Sequence, residues 1–135
     1  MTSVYLAGGI GGLTPEKAVG WRRAAGKILS EAGFIVLDPT ARIDFKHQRA
    51  NPEKYDASND IVIPDLEMIK ASDILLVEMT IKDRPYIGTS MEIVYGKVLW
   101  QKLIYVWGGL GSYWIKHHAD KIFSTLEGAL AEIVG

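Results

Sequence analysis

Five short apolar runs limit what this chain can fold into: SVYLAG (3–8), FIVLD (34–38), ILLVEM (74–79), LIYVW (103–107) and KIFST (121–125). Between them, apolar residues recur at helical spacing. In the first such segment Ala18, Trp21, Ala25, Ile28, Leu29 and Ala32 repeat, Thr14 offers an N-cap with Pro15 at the first helical position, and Gly33 stops the helix. Further helices are expected over 60–71, across Glu92, and after Ser124, which with Glu127 three residues later reads as a capping box. Strands alternating with helices imply a parallel sheet with right-handed crossovers, and the runs are too uniformly apolar for a sheet with one wet face. The expected product is an α/β fold, a five-stranded doubly wound parallel sheet flanked by helices. Its 135 residues suit one domain, and no linker or repeat divides them.

In such a sheet ligands sit beyond the carboxyl ends of the strands, at the topological switch point. The segments reaching that edge are 8–14, 38–59, 80–91 and 107–113. The stretch from Pro39 to about Asn59 is polar, aperiodic and longer than most connections, which favours a mobile or substrate-covering loop.

Composition removes several classes of function. With 48% hydrophobic and 23% charged residues and a net charge of −1, there is no general electrostatic reason to bind nucleic acid polymers or acidic membranes. The absence of cysteine removes thiolate nucleophiles, disulfides and cysteine metal sites. No stretch resembles a signal peptide or membrane span, so the chain is read as cytoplasmic. The turn GGIGGLT has Thr14 where G-x-G-x-x-G needs its third glycine, and no GK[ST] follows to make a P-loop. GTSME carries Glu92 where the nucleophile elbow closes with glycine. His47, His117 and His118 have no metal-site spacing. Neither a cofactor nor a metal is expected.

The stretch YIGTSMEIVYG (86–96) places a carboxylate, Glu92, among apolar neighbours. On a helical wheel Met91, Val94, Tyr95, Val98 and Leu99 form one apolar stripe, Ile93, Gly96 and Trp100 form a second on the opposite side, and Glu92 lies at their border. A helix apolar on two sides is deeply buried or covered by another subunit. Glu92 is then either a first-turn glutamate that complements the helix dipole or a partly buried carboxylate kept ionised there as a nucleophile.

YLAGGI at the first strand, PDLEMIKASDILLV (64–77) and GTSMEIVYG (88–96) resemble, in order and spacing, the nucleoside 2-deoxyribosyltransferase family across about two-thirds of the chain. The resemblance implies a flavodoxin-like fold and exchange of the base on a 2-deoxynucleoside through a covalent deoxyribosyl ester. It implies Glu92 as nucleophile, Tyr5 as its hydrogen-bonding partner and Asp65 as the acid that serves the base. Those residue types suit the chemistry. Cleaving an N-glycosidic bond develops positive charge at C1′, which one carboxylate stabilises and then captures while a second acid holds the departing base. Without the resemblance, Tyr5 reads as a packed strand tyrosine, Asp65 as a helix-dipole residue and Asp73 as a turn or cap residue. Gly8, Gly9 and Gly88 would let backbone approach a sugar closely, although glycine at a strand–helix turn needs no functional reason.

The chain departs from the family pattern at three places. Tyr86 stands six residues before Glu92, where some members carry an aspartate or serine that contacts substrate. Gly9 and Gly11 stand where relatives acting on 5′-monophosphates carry serine and arginine. The chain ends EIVG, without the C-terminal tyrosine of classical transferases. The expected partners are a deoxynucleoside and a free nucleobase, not the 5′-monophosphate, unless Arg42, Lys46 or Arg49 of the long segment supplies charge. Transfer, hydrolysis by an N-glycosidase and non-catalytic nucleoside binding all stay open. A homo-oligomer with composite sites is also expected, from the Ile93, Gly96, Trp100 stripe and an exposed-looking cluster of Trp107, Tyr113 and Trp114. The resemblance makes Ser112 the residue that completes a neighbour's site.

Overall fold

The structure, a computed structural model, describes residues 1–109 and 112–135, without the side chain of Arg49. Leu110 and Gly111 of the expected edge segment 107–113 lie outside the described residues. Five strands, β1 (Ser3–Ala7), β2 (Ile35–Leu37), β3 (Ile74–Glu78), β4 (Leu103–Trp107) and β5 (Lys121–Phe123), form one parallel sheet in the order β2-β1-β3-β4-β5. The register pairs Tyr5 with Leu37 on one side and with Leu75 on the other, and Leu75 with Ile104. This is the flavodoxin-like α/β architecture. The chain leaves β1 for β2 on one side and later places β3 on the other, so the switch point lies between β1 and β3.

Alternation along each strand divides the core in two. Tyr5, Ala7, Leu75, Val77, Ile104 and Val106 face helices α3 (Ile63–Ala71), α4 (Ile87–Val94) and α5 (Tyr113–His118) through Ile69, Ile93 and Ile115. Val4, Leu6, Ile74 and Leu76 face α1 (Pro15–Glu31) and α6 (Leu126–Val134) through Ala25, Leu29, Ala129 and Leu130. Both faces are covered, which accounts for the uninterrupted apolar runs.

Local signals set most helix boundaries. Thr14 caps α1 as expected, its hydroxyl accepting from the Lys17 amide, an arrangement that contributes about 1 kcal/mol. Gly33, at φ 92°, takes the left-handed turn past the end of that helix. At α6 the cap is Thr125, not Ser124. Thr125 has the extended backbone a cap requires, and its Oγ1 accepts from Gly128 N at 3.1 Å. Asp73 is structural, its Oδ2 accepting from Ser3 N at 2.8 Å.

The polar segment after β2 is not an aperiodic loop. It forms a 3₁₀ turn (Pro39–Arg42), the short helix α2 (Phe45–Ala50), a second 3₁₀ turn (Pro52–Lys54) and a wide π turn (Ala57–Val62) that runs into α3. Aspartates start three of these pieces: Asp38, Asp44 and Asp56 accept from the Thr40, His47 and Ser58 amides. Side-chain capping, not apolar periodicity, builds this region.

The two stripes of the Glu92 helix are disposed opposite to expectation. Ile93 and Gly96 are buried and Trp100 packs on the core, whereas Met91 (59% exposed), Val94, Tyr95, Val98 and Leu99 face outward. Gly96 explains the choice: a Cβ there would stand 3.0 Å from Leu75 Cδ2, so the glycine side alone can lie this close to the sheet. Trp107 is half-buried and packs edge-on against Trp21 at 5.5 Å, while Tyr113 and Trp114 are exposed.

Candidate active site

A crevice of about 550 Å³ opens beyond the carboxyl ends of β1 and β3, within the usual size range for small-molecule sites. Its walls come from three segments: the turn Gly8–Gly11, the stretch Arg84–Tyr95, and Ile61, Val62, Asp65 and Leu66 around the start of α3. Six of the eight expected catalytic and substrate residues that stand in this chain's own sequence line it: Gly8, Gly9, Asp65, Tyr86, Gly88 and Glu92.

At the crevice wall the hydroxyl of Tyr5, a fully buried side chain, donates to Glu92 Oε2 at 2.5 Å. Burial and the adjacent Glu92 charge raise the Tyr5 pKa, so it stays a protonated donor. Glu92 itself is the sixth residue of α4, not a first-turn residue, because Tyr86 in the left-handed region (φ 49°) starts the helix at Ile87. Dipole stabilisation fades beyond the first turn. Burial therefore dominates and pushes the Glu92 carboxyl up from 4.5 to about 7, with the Tyr5 hydrogen bond opposing it and the Asp65 charge adding to the rise. The reading of a carboxylate kept ionised by the helix N-terminus thus meets a glutamate whose pKa burial raises to about 7.

Asp65, the third residue of α3, pairs with Arg42. Its burial raises its pKa against the opposing pull of that arginine. Arg42 thus reaches Asp65 at the crevice from the segment after β2, and its charge is committed there.

Ser112 does not line this chain's crevice. Its Oγ accepts from Ile115 N at 3.3 Å as the N-cap of α5. Tyr86 lines the crevice with its ring, but its hydroxyl is engaged on the far side, donating to Glu78 Oε2 at 2.6 Å and accepting from Ile81 N at 3.0 Å.

Three residues that frame the site escaped the sequence analysis. Glu78, 4% exposed at the end of β3, accepts from Gly9 N (3.0 Å), Thr80 N (2.8 Å), Thr80 Oγ1 (2.6 Å) and the Tyr86 hydroxyl. These hydrogen bonds hold its carboxyl below the usual range although burial pushes the other way. Arg22, fully buried on α1, donates to the carbonyls of Leu6 (3.1 Å), Gly8 (3.1 Å) and Ala18 (2.5 Å). The glycine turn is thereby held by a cation on its carbonyls and an anion on its amide. Arg84, the third, lines the crevice beside Gly9. Among the described residues no group of three or more acidic or histidine side chains could hold a metal ion, and no helix is long and apolar enough to cross a membrane.

No protein-family model and no curated protein matches the sequence. Solved structures do match. A 2-deoxyribosyltransferase from Leishmania mexicana aligns over 99% of this chain and 97% of its own, at 17% identity and a TM-score of 0.73. A 2-deoxyribosyltransferase from Bacillus psychrosaccharolyticus aligns over 99% and 91%, at 19% identity and 0.67. A conserved protein from Enterococcus faecalis aligns over 98% and 97%, at 19% identity and 0.67. In fold, over nearly its whole length, this chain is similar to the 2-deoxyribosyltransferases.

Proposed function

We propose that the chain is an enzyme that transfers a 2-deoxyribosyl group between nucleobases, with Glu92 as nucleophile. The observation that carries this reading is the 2.5 Å hydrogen bond from Tyr5 to Glu92 at the wall of the switch-point crevice. An ionised Glu92 oxygen attacks C1′ as the C1′–N bond breaks and its electron pair leaves with the base, giving a deoxyribosyl ester. Asp65 protonates or holds the departing base. A second base then attacks C1′ through a ring nitrogen whose proton passes to Asp65, the C1′–O bond of the ester breaks, and Glu92 returns as carboxylate. The Tyr5 hydroxyl orients the carboxylate and favours its charged form.

The same ester accepts water if no base is bound, which would make the chain an N-glycosidase. A deoxynucleoside and, in parallel, its 5′-monophosphate, each incubated with and without a second free base, separate these outcomes. A swapped base supports transfer, a free deoxyribosyl sugar supports hydrolysis, and neither product from either substrate points to a binding module and sinks the enzymatic reading.

The proposed enzyme is a homo-oligomer. The outward stripe of Met91, Val94, Tyr95, Val98 and Leu99, continued by exposed Ile87 at the crevice rim, is more contiguous apolar surface than monomers usually leave wet. Covering it would close the open side of each crevice, with Ser112 of a neighbouring copy as the candidate contributor. A sedimentation mass equal to the 14.9 kDa monomer at micromolar concentration would contradict this.

A further inference from the structure

Arg84 is a cation of the crevice that pairs with no carboxylate among the described residues. It belongs to the loop between β3 and α4. Its Nη2 donates to the Gly11 carbonyl at 2.8 Å, and its guanidinium carbon stands 5.4 Å from the centre of the Tyr86 ring. Its Nε is buried and has no hydrogen-bond partner among the described residues. Of the five N–H donors a guanidinium offers, most are thus uncommitted beside a cavity, and a buried donor left unpaired is costly. Gly9 and Arg84 form a single feature, since a Cβ on Gly9 would fall 2.7 Å from Arg84 Nε. The glycine leaves the space in which the arginine lies.

The crevice also has a direction. If C1′ sits over Glu92 and the base lies toward Asp65, Ile61 and Val62, the 5′ end of the sugar extends toward Gly9, Gly11 and Arg84. We infer that Arg84, seated over Gly9, binds a phosphate monoester on the 5′ oxygen of the substrate's deoxyribose. This rests on the reading of the crevice as a deoxyribosyl-transfer site, and it reverses the sequence expectation of an unphosphorylated nucleoside. That expectation looked for charge in the glycine turn and the segment after β2. The turn has none, and Arg42 is occupied by Asp65. The cation comes from the 80–86 loop instead. An arginine suits a phosphate because its planar fork donates two parallel charge-assisted hydrogen bonds.

Titration calorimetry with 2-deoxyribose 5-phosphate and with 2-deoxyribose tests this without turnover. The phosphorylated sugar is expected to bind wild type at least tenfold more tightly. In Arg84→Gln that advantage should shrink to within about threefold, and Arg84→Lys should recover part of it; thermal melting checks that both variants fold. A wild-type protein that gains nothing from the phosphate, or an Arg84→Gln variant that keeps the full gain, overturns the inference. Inorganic phosphate that binds as tightly to the glutamine variant as to wild type would mark an adventitious ion only, which overturns it as well. Comparing kcat/KM for a deoxynucleoside and its 5′-monophosphate then separates the two readings. Arg84-dependent phosphate binding without deoxyribosyl transfer defeats the proposed reaction alone. Transfer at equal kcat/KM for both substrates defeats the phosphate site alone.

Discussion

Glu78, buried, and Glu92, half-buried at the crevice, are two carboxylates at the same edge of the sheet whose pKa values move in opposite directions. Burial pushes both toward the neutral form. Glu78 accepts from two amides, a threonine hydroxyl and a tyrosine hydroxyl, and these outweigh burial and keep it ionised. Glu92 has the Tyr5 hydroxyl, which is not enough, and its pKa rises to about 7. The difference is the supply of donors. A carboxylate saturated with hydrogen bonds ties chain segments together, here the turns after β1 and β3 and the start of α4. A carboxylate left with spare lone pairs beside a cavity is available to react.

The contrast breaks first at Glu92. Under the proposed reaction Glu92→Ala should lower the rate by roughly three or more orders of magnitude, about 4 kcal/mol of transition-state stabilisation, without loss of fold. Near-wild-type turnover would place Glu92 in the same structural role as Glu78. The next effect is on stability. In Glu78→Gln an amide NH₂ meets donors it cannot accept from, so denaturant unfolding should show a loss of about 1–3 kcal/mol. An unchanged midpoint would mean that the Gly9, Thr80 and Tyr86 bonds do not hold the loops.

Tyr5→Phe should be milder in rate, roughly tenfold, because the carboxylate remains. It should also raise the Glu92 pKa further, moving the acid limb of kcat/KM to higher pH; an unmoved limb would show that the hydrogen bond does not tune Glu92.

The smallest expected signal is the pH dependence of stability. The raised Glu92 pKa means the folded state keeps its proton between pH 4.5 and about 7 while the unfolded chain loses it, so this group makes stability fall as pH rises through that window. Glu78 acts with the opposite sign: its lowered pKa contributes stability that is lost as pH falls below the ordinary carboxylate value. Glu92→Gln should remove the first slope and Glu78→Gln the second. A mutation that alters the other group's window would show that the two carboxylates titrate as one system.

The sheet was legible because its central strands β1 and β3 are buried along their whole length and so must be largely apolar, while the partly exposed edge strands β2 and β5 still carry short apolar runs. The same uniformity hid Glu78, which closes the run ILLVE. Arg22 was hidden in the reverse way. Ala18, Arg22, Ala25 and Leu29 are the buried face of α1, so the arginine occupies a core position of the helical repeat, a sign visible in the sequence once the face is placed. The wheel of α4 gave two stripes correctly but not their direction. That choice depends on the space required by one missing methyl group, which periodicity does not record. Tyr5, Asp65 and Glu92 were named together because the resemblance joined them; no local pattern brings residues 5 and 92 within hydrogen-bond distance. Arg84 was missed for the same reason, since its counterpart in space is Gly9.

The methyl group absent from Gly96 also acts as a depth gauge for the Tyr5–Glu92 pair. Gly96 lies one helical turn beyond Glu92, against Leu75 and Ile104 on the sheet that carries Tyr5. Leu75 is fully buried and has little room to yield, so an alanine at 96 would lift this turn outward by a few tenths of an ångström. Glu92 would ride with it, away from the Tyr5 hydroxyl. The spacing between Glu92 and the Tyr5 hydroxyl is thus written in a residue that touches neither.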